Sequence, residues 1–190
     1  MFVFWKIAMG KEFRLKKNIS KDKLSFLNEA IECGNIANNI KSDSTQMTMI
    51  IPADLAIGYT FIWDLENAKK YLMIMEKTIS MHGLQGKSTI FLYARSIVFL
   101  LNLKIFIEYL EDKENSSNID YIIETMNYLT GLSELVLELE KLLHIISHDE
   151  DKTIILSLVI QIKEEIDQAN ALTKPLLIGH YTSEPFYKNT

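Results

Sequence analysis

The sequence predicts an all-α fold, a compact bundle of about five helices. Three observations carry that prediction. Apolar residues recur at intervals of three and four over most of the chain, which gathers them on one helical face. Short polar runs separate these stretches, and several offer a serine or aspartate as a helix N-cap. Finally, 7 glycines and 3 prolines in 190 residues are few for a turn-rich all-β design. With 48% hydrophobic residues the chain can bury a substantial core. No internal repeat and no strand–helix alternation is visible.

The elements follow in order. Residues 1–20 form a basic N-terminal segment, 21–174 the bundle and 175–190 a C-terminal tail. The apolar stretch 1–8 reads as a strand or a helix that packs back on the domain, and the run 47–51 as a short strand or a helical entry; as strands the two would pair into a two-stranded attachment. Ser20 caps a first helix over about 21–41, with Leu24, Leu27, Ile31, Ala37 and Ile40 on its stripe and Gly34 weakening its centre. Pro52 suits the first turn of a second helix running to about 81. A break is expected in it near 58–64, with Asp64 capping the second half.

Ser88 caps a third helix over 89–111. Its run Ile97, Val98, Phe99, Leu100 and Leu101 is the most apolar in the chain. Arg95, Asn102, Lys104 and Glu108 interrupt that window, so it reads as a buried central helix rather than a membrane span. Its charges should occupy one thin solvent stripe. Ser117 and Asp120 resemble a capping box before the fourth helix. There Ile119, Ile122, Met126, Leu129, Leu132, Val136, Leu139, Leu143 and Ile146 keep the rhythm through Gly131, which implies one long helix or two collinear helices with a bend there. A turn at 148–151 leads to a fifth helix over about 150–172, which Pro175 should stop. Lys163, Glu164, Glu165 and Asp167 should face outward.

Charge is distributed unevenly. Residues 1–23 carry a net +5, and residues 108–167 carry fifteen acids against four lysines, a net −11 within an overall −5. An acidic C-terminal half is a poor surface for a phosphate backbone. Lysines following the apolar start reverse the order of a secretory signal. The single cysteine, Cys33, excludes an internal disulfide framework and a multi-cysteine zinc site. These features point to a cytoplasmic location.

Chemical motifs are sparse. Glu140, His144 and His148 stand four apart, and on a continuous helix they would present one oxygen and two imidazoles to a divalent metal. That set is the basis of a metal-dependent hydrolase reading, although the glutamate that zincins place directly after the first histidine is missing. His148-Asp149 is similar to the dipeptide of the HD phosphohydrolases. The further His and Asp residues that family takes from other helices do not identify themselves here. Glu108, Glu111 and Glu114, three apart, and the pair Glu164/Asp167 are similar to the acidic pairs with which all-helical nucleotide pyrophosphatases hold magnesium, and equally to a solvated helix face. Gly83, Gly86, Lys87 and Ser88 stand too close together for a phosphate loop.

Tyr59, Trp63 and Met73, in a region rich in aromatics and methionines, suggest contacts to a small apolar ligand in a sensor or carrier. Glu134, Glu138, Glu164 and Glu165 suggest instead an acidic helical face that steers a basic protein into contact. The expectation favoured by this balance is an intracellular protein-interaction module: an inhibitor, an immunity factor or a regulatory adaptor. It needs no cofactor. A homodimer is compatible with the amphipathic fifth helix.

Overall fold

The structure, a computed structural model, describes residues 15–40, 45–81, 89–112, 119–147 and 149–183. Among the described residues there are six helices and no strand. They are α1 (Lys21–Asn39), α2 (Thr45–Phe61), α3 (Leu65–Met81), α4 (Thr89–Glu111), α5 (Ile119–Leu143) and α6 (Asp149–Ser183). The all-α bundle expected from the sequence is therefore the fold, and the sixth helix arises because the second predicted helix is two.

The break between α2 and α3 has a local cause. Trp63 sits at φ 63°, the left-handed region. Its amide bonds the Thr60 carbonyl at 3.1 Å, and the Asp64 amide reaches the Tyr59 carbonyl at 2.9 Å. This is the Schellman pattern of helix termination, with tryptophan where glycine is usual. Asp64 then caps α3: its Oδ1 accepts from the Asn67 amide at 3.0 Å and its Oδ2 from Asn67 Nδ2 at 2.7 Å. Ser20 caps α1, accepting from the Lys23 amide at 3.4 Å.

Residues 47–51 lie inside α2, the helical of their two readings; a five-residue apolar run has no period that separates the two states. Two boundary expectations are corrected. Pro52 is deep in α2, not in its first turn. Pro175 does not stop α6, which continues to Ser183. Each proline removes one backbone donor; beyond Pro52 the buried Ala53, Leu55, Ala56, Ile57 and Phe61 hold α2 in the core, whereas beyond Pro175 Leu176 and Leu177 are half-buried and Ile178 is exposed. In the turn before Pro175, Thr173 Oγ1 donates to the Ala169 carbonyl at 2.8 Å. The other expected strand, 1–8, and the caps Ser88 and Ser117 lie outside the described residues.

Helix α4 is the centre of the bundle. It packs against α2, α3, α5 and α6, while α1 rests on α2. Ile97, Leu100, Leu101 and Leu103 are fully enclosed, together with Leu27, Phe61, Met75, Leu132, Leu139 and Leu158 from the surrounding helices. By length and composition Ile90–Glu111 would cross a membrane, but 72% of its most apolar window is buried inside the bundle. Burial of this kind, at roughly 25 cal/mol per Å² of apolar surface, dominates the stability of a helical domain.

The polar groups of α4 are not spread along a solvent stripe as expected. Lys104 pairs with Glu165 of α6, and Glu108 with Lys17 at 2.6 Å. Asn102 is buried, and the Arg95 guanidinium lies over the Phe99 ring, 5.6 Å from its centroid.

Close approach explains two glycines in helix interiors. A Cβ on Gly34 would stand 2.8 Å from Leu55 Cδ2, so glycine lets α1 settle onto α2. A Cβ on Gly131 would meet Phe99 Cε1 at 3.2 Å, the corresponding contact between α5 and α4. Gly131 does not interrupt α5.

Candidate interaction face

Helices α5 and α6 are consecutive, pack along each other and form a hairpin on one flank of α4. From Ile119 to Ser183 they and their connection carry eleven carboxylates against four lysines. Their inner faces supply Leu132, Leu135, Val136 and Leu139 from α5 and Ile155, Leu158, Val159 and Ile162 from α6 to the core. That amphipathic division sends the charged positions outward.

The four predicted interaction residues do not share one situation. Glu134 and Glu164 are exposed and Glu138 is half-buried. Glu134 and Glu138, one turn apart, are neighbours along α5. Glu165 differs: its side chain is 14% exposed, turned toward α4 and ion-paired with Lys104, itself 18% exposed. The expectation that Glu165 faces outward is thereby corrected. Its donor is a lysine 61 residues away in sequence, which no helix-periodicity argument brings next to it.

A feature that sequence reasoning missed lies between these acids. Leu137 of α5 is 58% exposed, and Leu156 and Ile160 of α6 are 49% and 47% exposed. The signal was present, since Leu156 and Ile160 fall outside the inward stripe of Ile155, Leu158 and Ile162. The Lys163 ammonium reaches Glu140 at 2.7 Å. That ion pair joins α5 to α6 one turn after Leu137 and one turn after Ile160, so in the antiparallel hairpin the two apolar residues lie on opposite sides of it along the helix axes.

The predicted metal set is not assembled as expected. Helix α5 ends at Leu143, and His144 already lies in the following turn, its amide bonded to the Lys141 carbonyl at 3.3 Å. Glu140 and His144 therefore do not continue on one helical face, and Glu140 is engaged by Lys163. His148 lies outside the described residues. Among the described residues no group of three or more His, Cys, Asp and Glu side chains is placed to hold a metal ion. The acids of the other expected pair are engaged by the protein: Glu108 by Lys17, and Glu111 by Gln168 Nε2 at 3.2 Å.

The predicted ligand contacts occupy three different places. Tyr59 stacks on Tyr71, with centroids 5.6 Å apart and planes 6° from parallel. Asn35 joins their hydroxyls, its Nδ2 donating to Tyr59 at 3.0 Å and its Oδ1 accepting from Tyr71 at 2.7 Å. This triad links α1, α2 and α3. Burial, and secondarily the Tyr59 hydroxyl, push the Tyr71 pKa up. Trp63 holds the segment ahead of α1, donating from Nε1 to the Lys16 carbonyl at 3.1 Å. Met73 is 67% exposed on α3. Cys33 is exposed on α1.

The chain matches no known protein-family model, no curated protein and no solved structure.

Proposed function

We propose that this chain is an intracellular, cytoplasmic protein-interaction module that docks a basic protein partner on the outer surface of its α5–α6 hairpin. The mechanism is occlusion or tethering: the bundle holds the hairpin rigid, and the hairpin covers a functional surface of the partner or keeps it in place. An inhibitor, an immunity factor and a regulatory adaptor all work in this way.

One observation carries the reading. Glu134 and Glu138 project from the hairpin beside exposed Leu137, within a pair of helices whose carboxylates outnumber their lysines by seven. A surface of one sign accelerates the encounter with an oppositely charged partner and rejects nucleic acid and anionic lipid. The apolar side chains within it supply the contact that retains the partner after encounter. Glu165 is not part of this surface, because Lys104 neutralises it against α4.

The test is kinetic. Charge reversal by Glu134→Lys with Glu138→Lys should slow association with the partner and flatten its dependence on salt, while dissociation changes less. An association rate unaltered by the double reversal contradicts the proposal.

A further inference from the structure

We propose that residues 1–23 attach this chain to the surface of a bilayer rich in anionic lipid. The inference goes beyond the docking role of the α5–α6 hairpin and does not depend on it. Residues 1–14 lie outside the described residues and enter by their chemistry alone. Eight of residues 1–9 are apolar, among them Phe2, Phe4 and Trp5, and only Lys6 carries a charge. Lys11, Arg14, Lys16, Lys17, Lys21 and Lys23 follow, against Glu12 and Asp22. The structure supplies the place where this stretch joins the bundle. Leu15 is buried, its amide donates to Gln161 Oε1 of α6 at 3.2 Å, and Trp63 Nε1 donates to the Lys16 carbonyl at 3.1 Å. Beyond that fixed point Lys16, Lys17, Lys21 and Lys23 are all exposed. Leu24, 38% exposed, lies beside Lys21 on α1. Among the described residues Lys17 alone of the four lysines forms an ion pair, with Glu108.

Two contributions then add. The apolar and aromatic side chains enter the boundary between headgroups and acyl chains, and the lysines meet the negative charge of the headgroups. Either signal alone binds weakly, and the two together hold a peripheral protein in place. Charge by itself would suit nucleic acid equally. A polyanion with no hydrocarbon beneath its phosphates, however, leaves Phe2, Phe4 and Trp5 in water. The carboxylates of the α5–α6 hairpin outnumber its lysines by seven, so the same anionic surface repels it. Attachment through the basic segment therefore leaves the hairpin to a protein partner.

Co-sedimentation of the full chain with lipid vesicles tests the inference. Phosphatidylcholine vesicles with about 30% phosphatidylserine should bind about tenfold or more tighter than phosphatidylcholine alone, and added salt should weaken that binding. Phe4→Ser with Trp5→Ser, and separately Lys21→Glu with Lys23→Glu, should each weaken it by about tenfold or more. The unfolding midpoint will establish that each variant is folded. The chain has 2 tryptophans, so Trp63→Phe leaves Trp5 as the reporter. Its emission should move to the blue and escape acrylamide quenching when anionic vesicles are added. Absence of binding to these vesicles overturns the inference. Binding that persists through either pair of substitutions does the same, since it then needs only charge or only apolar contact. Trp5 emission that is blue and shielded without vesicles, and unchanged by them, assigns the segment to the bundle instead. None of these results touches the docking reading, which is judged by Glu134→Lys with Glu138→Lys against a protein partner.

Discussion

The indole Nε1 of Trp63 donates to the Lys16 carbonyl at 3.1 Å, and this bond joins the turn between α2 and α3 to the segment that precedes α1. The same segment is held on either side. Leu15 is buried, its amide donating to Gln161 Oε1 of α6 at 3.2 Å. Lys17 lies over the Trp63 ring, 5.4 Å from its centroid, while pairing with Glu108 of α4. Residues 15–17 thus strap three parts of the bundle together, and the left-handed backbone at Trp63 sets the indole to receive them.

Leu15→Ala should destabilise the protein by about 2–5 kcal/mol, the range for truncating a buried leucine. Trp63→Phe removes one hydrogen bond to the backbone and should cost about 1 kcal/mol. Urea unfolding measures both. Amide exchange at position 15, whose N–H is bonded to Gln161 Oε1, should quicken in each variant relative to the middle of α4.

The contact of Gly34 with Leu55 predicts a coupled pair. Gly34→Val drives new methyl groups into a fully buried leucine and should cost about 1–3 kcal/mol through overpacking. Leu55→Ala alone should cost about 2–5 kcal/mol by leaving a cavity. In the double variant the valine enters the space the leucine vacates, so the total should be clearly less than the sum. Additive losses in a double-mutant cycle would show that α1 and α2 do not meet there.

Lys104 and Glu165 predict a second non-additive pair. Lys104→Met leaves a largely buried carboxylate without its cation and should cost about 3–5 kcal/mol. Adding Glu165→Met removes the stranded charge and should recover most of that loss. Recovery is read from the thermal midpoint of the three proteins. A solvated Glu165 would give small and additive effects instead.

Two tyrosines set the alkaline limit of stability. Burial raises the Tyr93 pKa far above its ordinary value, and burial with Tyr59 raises that of Tyr71. Below about pH 10 both tyrosines are neutral folded or unfolded, and they make stability no steeper with pH. Above it the unfolded chain releases protons that the folded chain retains, so stability falls as pH rises, by up to about 1.4 kcal/mol per pH unit for Tyr93. Tyr93→Phe should remove this slope. Urea midpoints measured between pH 8 and pH 11, a range of about 1 to 2 units around the tyrosine pKa, report the difference.

The parts of the fold that depend on local chemistry were legible in the sequence. The α4 boundaries, the continuous α5, the Ser20 cap and the break capped by Asp64 all follow from apolar period or from a side chain reaching its own helix. The misread boundaries share a cause. Pro52 and Pro175 each cost their helix one backbone bond and neither ends it, and after Pro52 the buried residues that follow outweigh that loss. At the candidate face, adjacent Glu164 and Glu165 are indistinguishable until the fold sets Lys104 beside the second. Leu137, Leu156 and Ile160 stood in view as residues off the inward stripe, and the structure leaves all three exposed.

The central claim, that the α5–α6 face docks a basic protein, is tested most directly by native mass spectrometry. The full chain and its Glu134→Lys, Glu138→Lys variant are purified gently from the protein's own cells and their intact masses compared. The account predicts a stoichiometric complex with a basic protein for the natural chain and loss of that partner from the folded variant. A natural chain that emerges alone, or a complex that survives the double reversal unchanged, would contradict it.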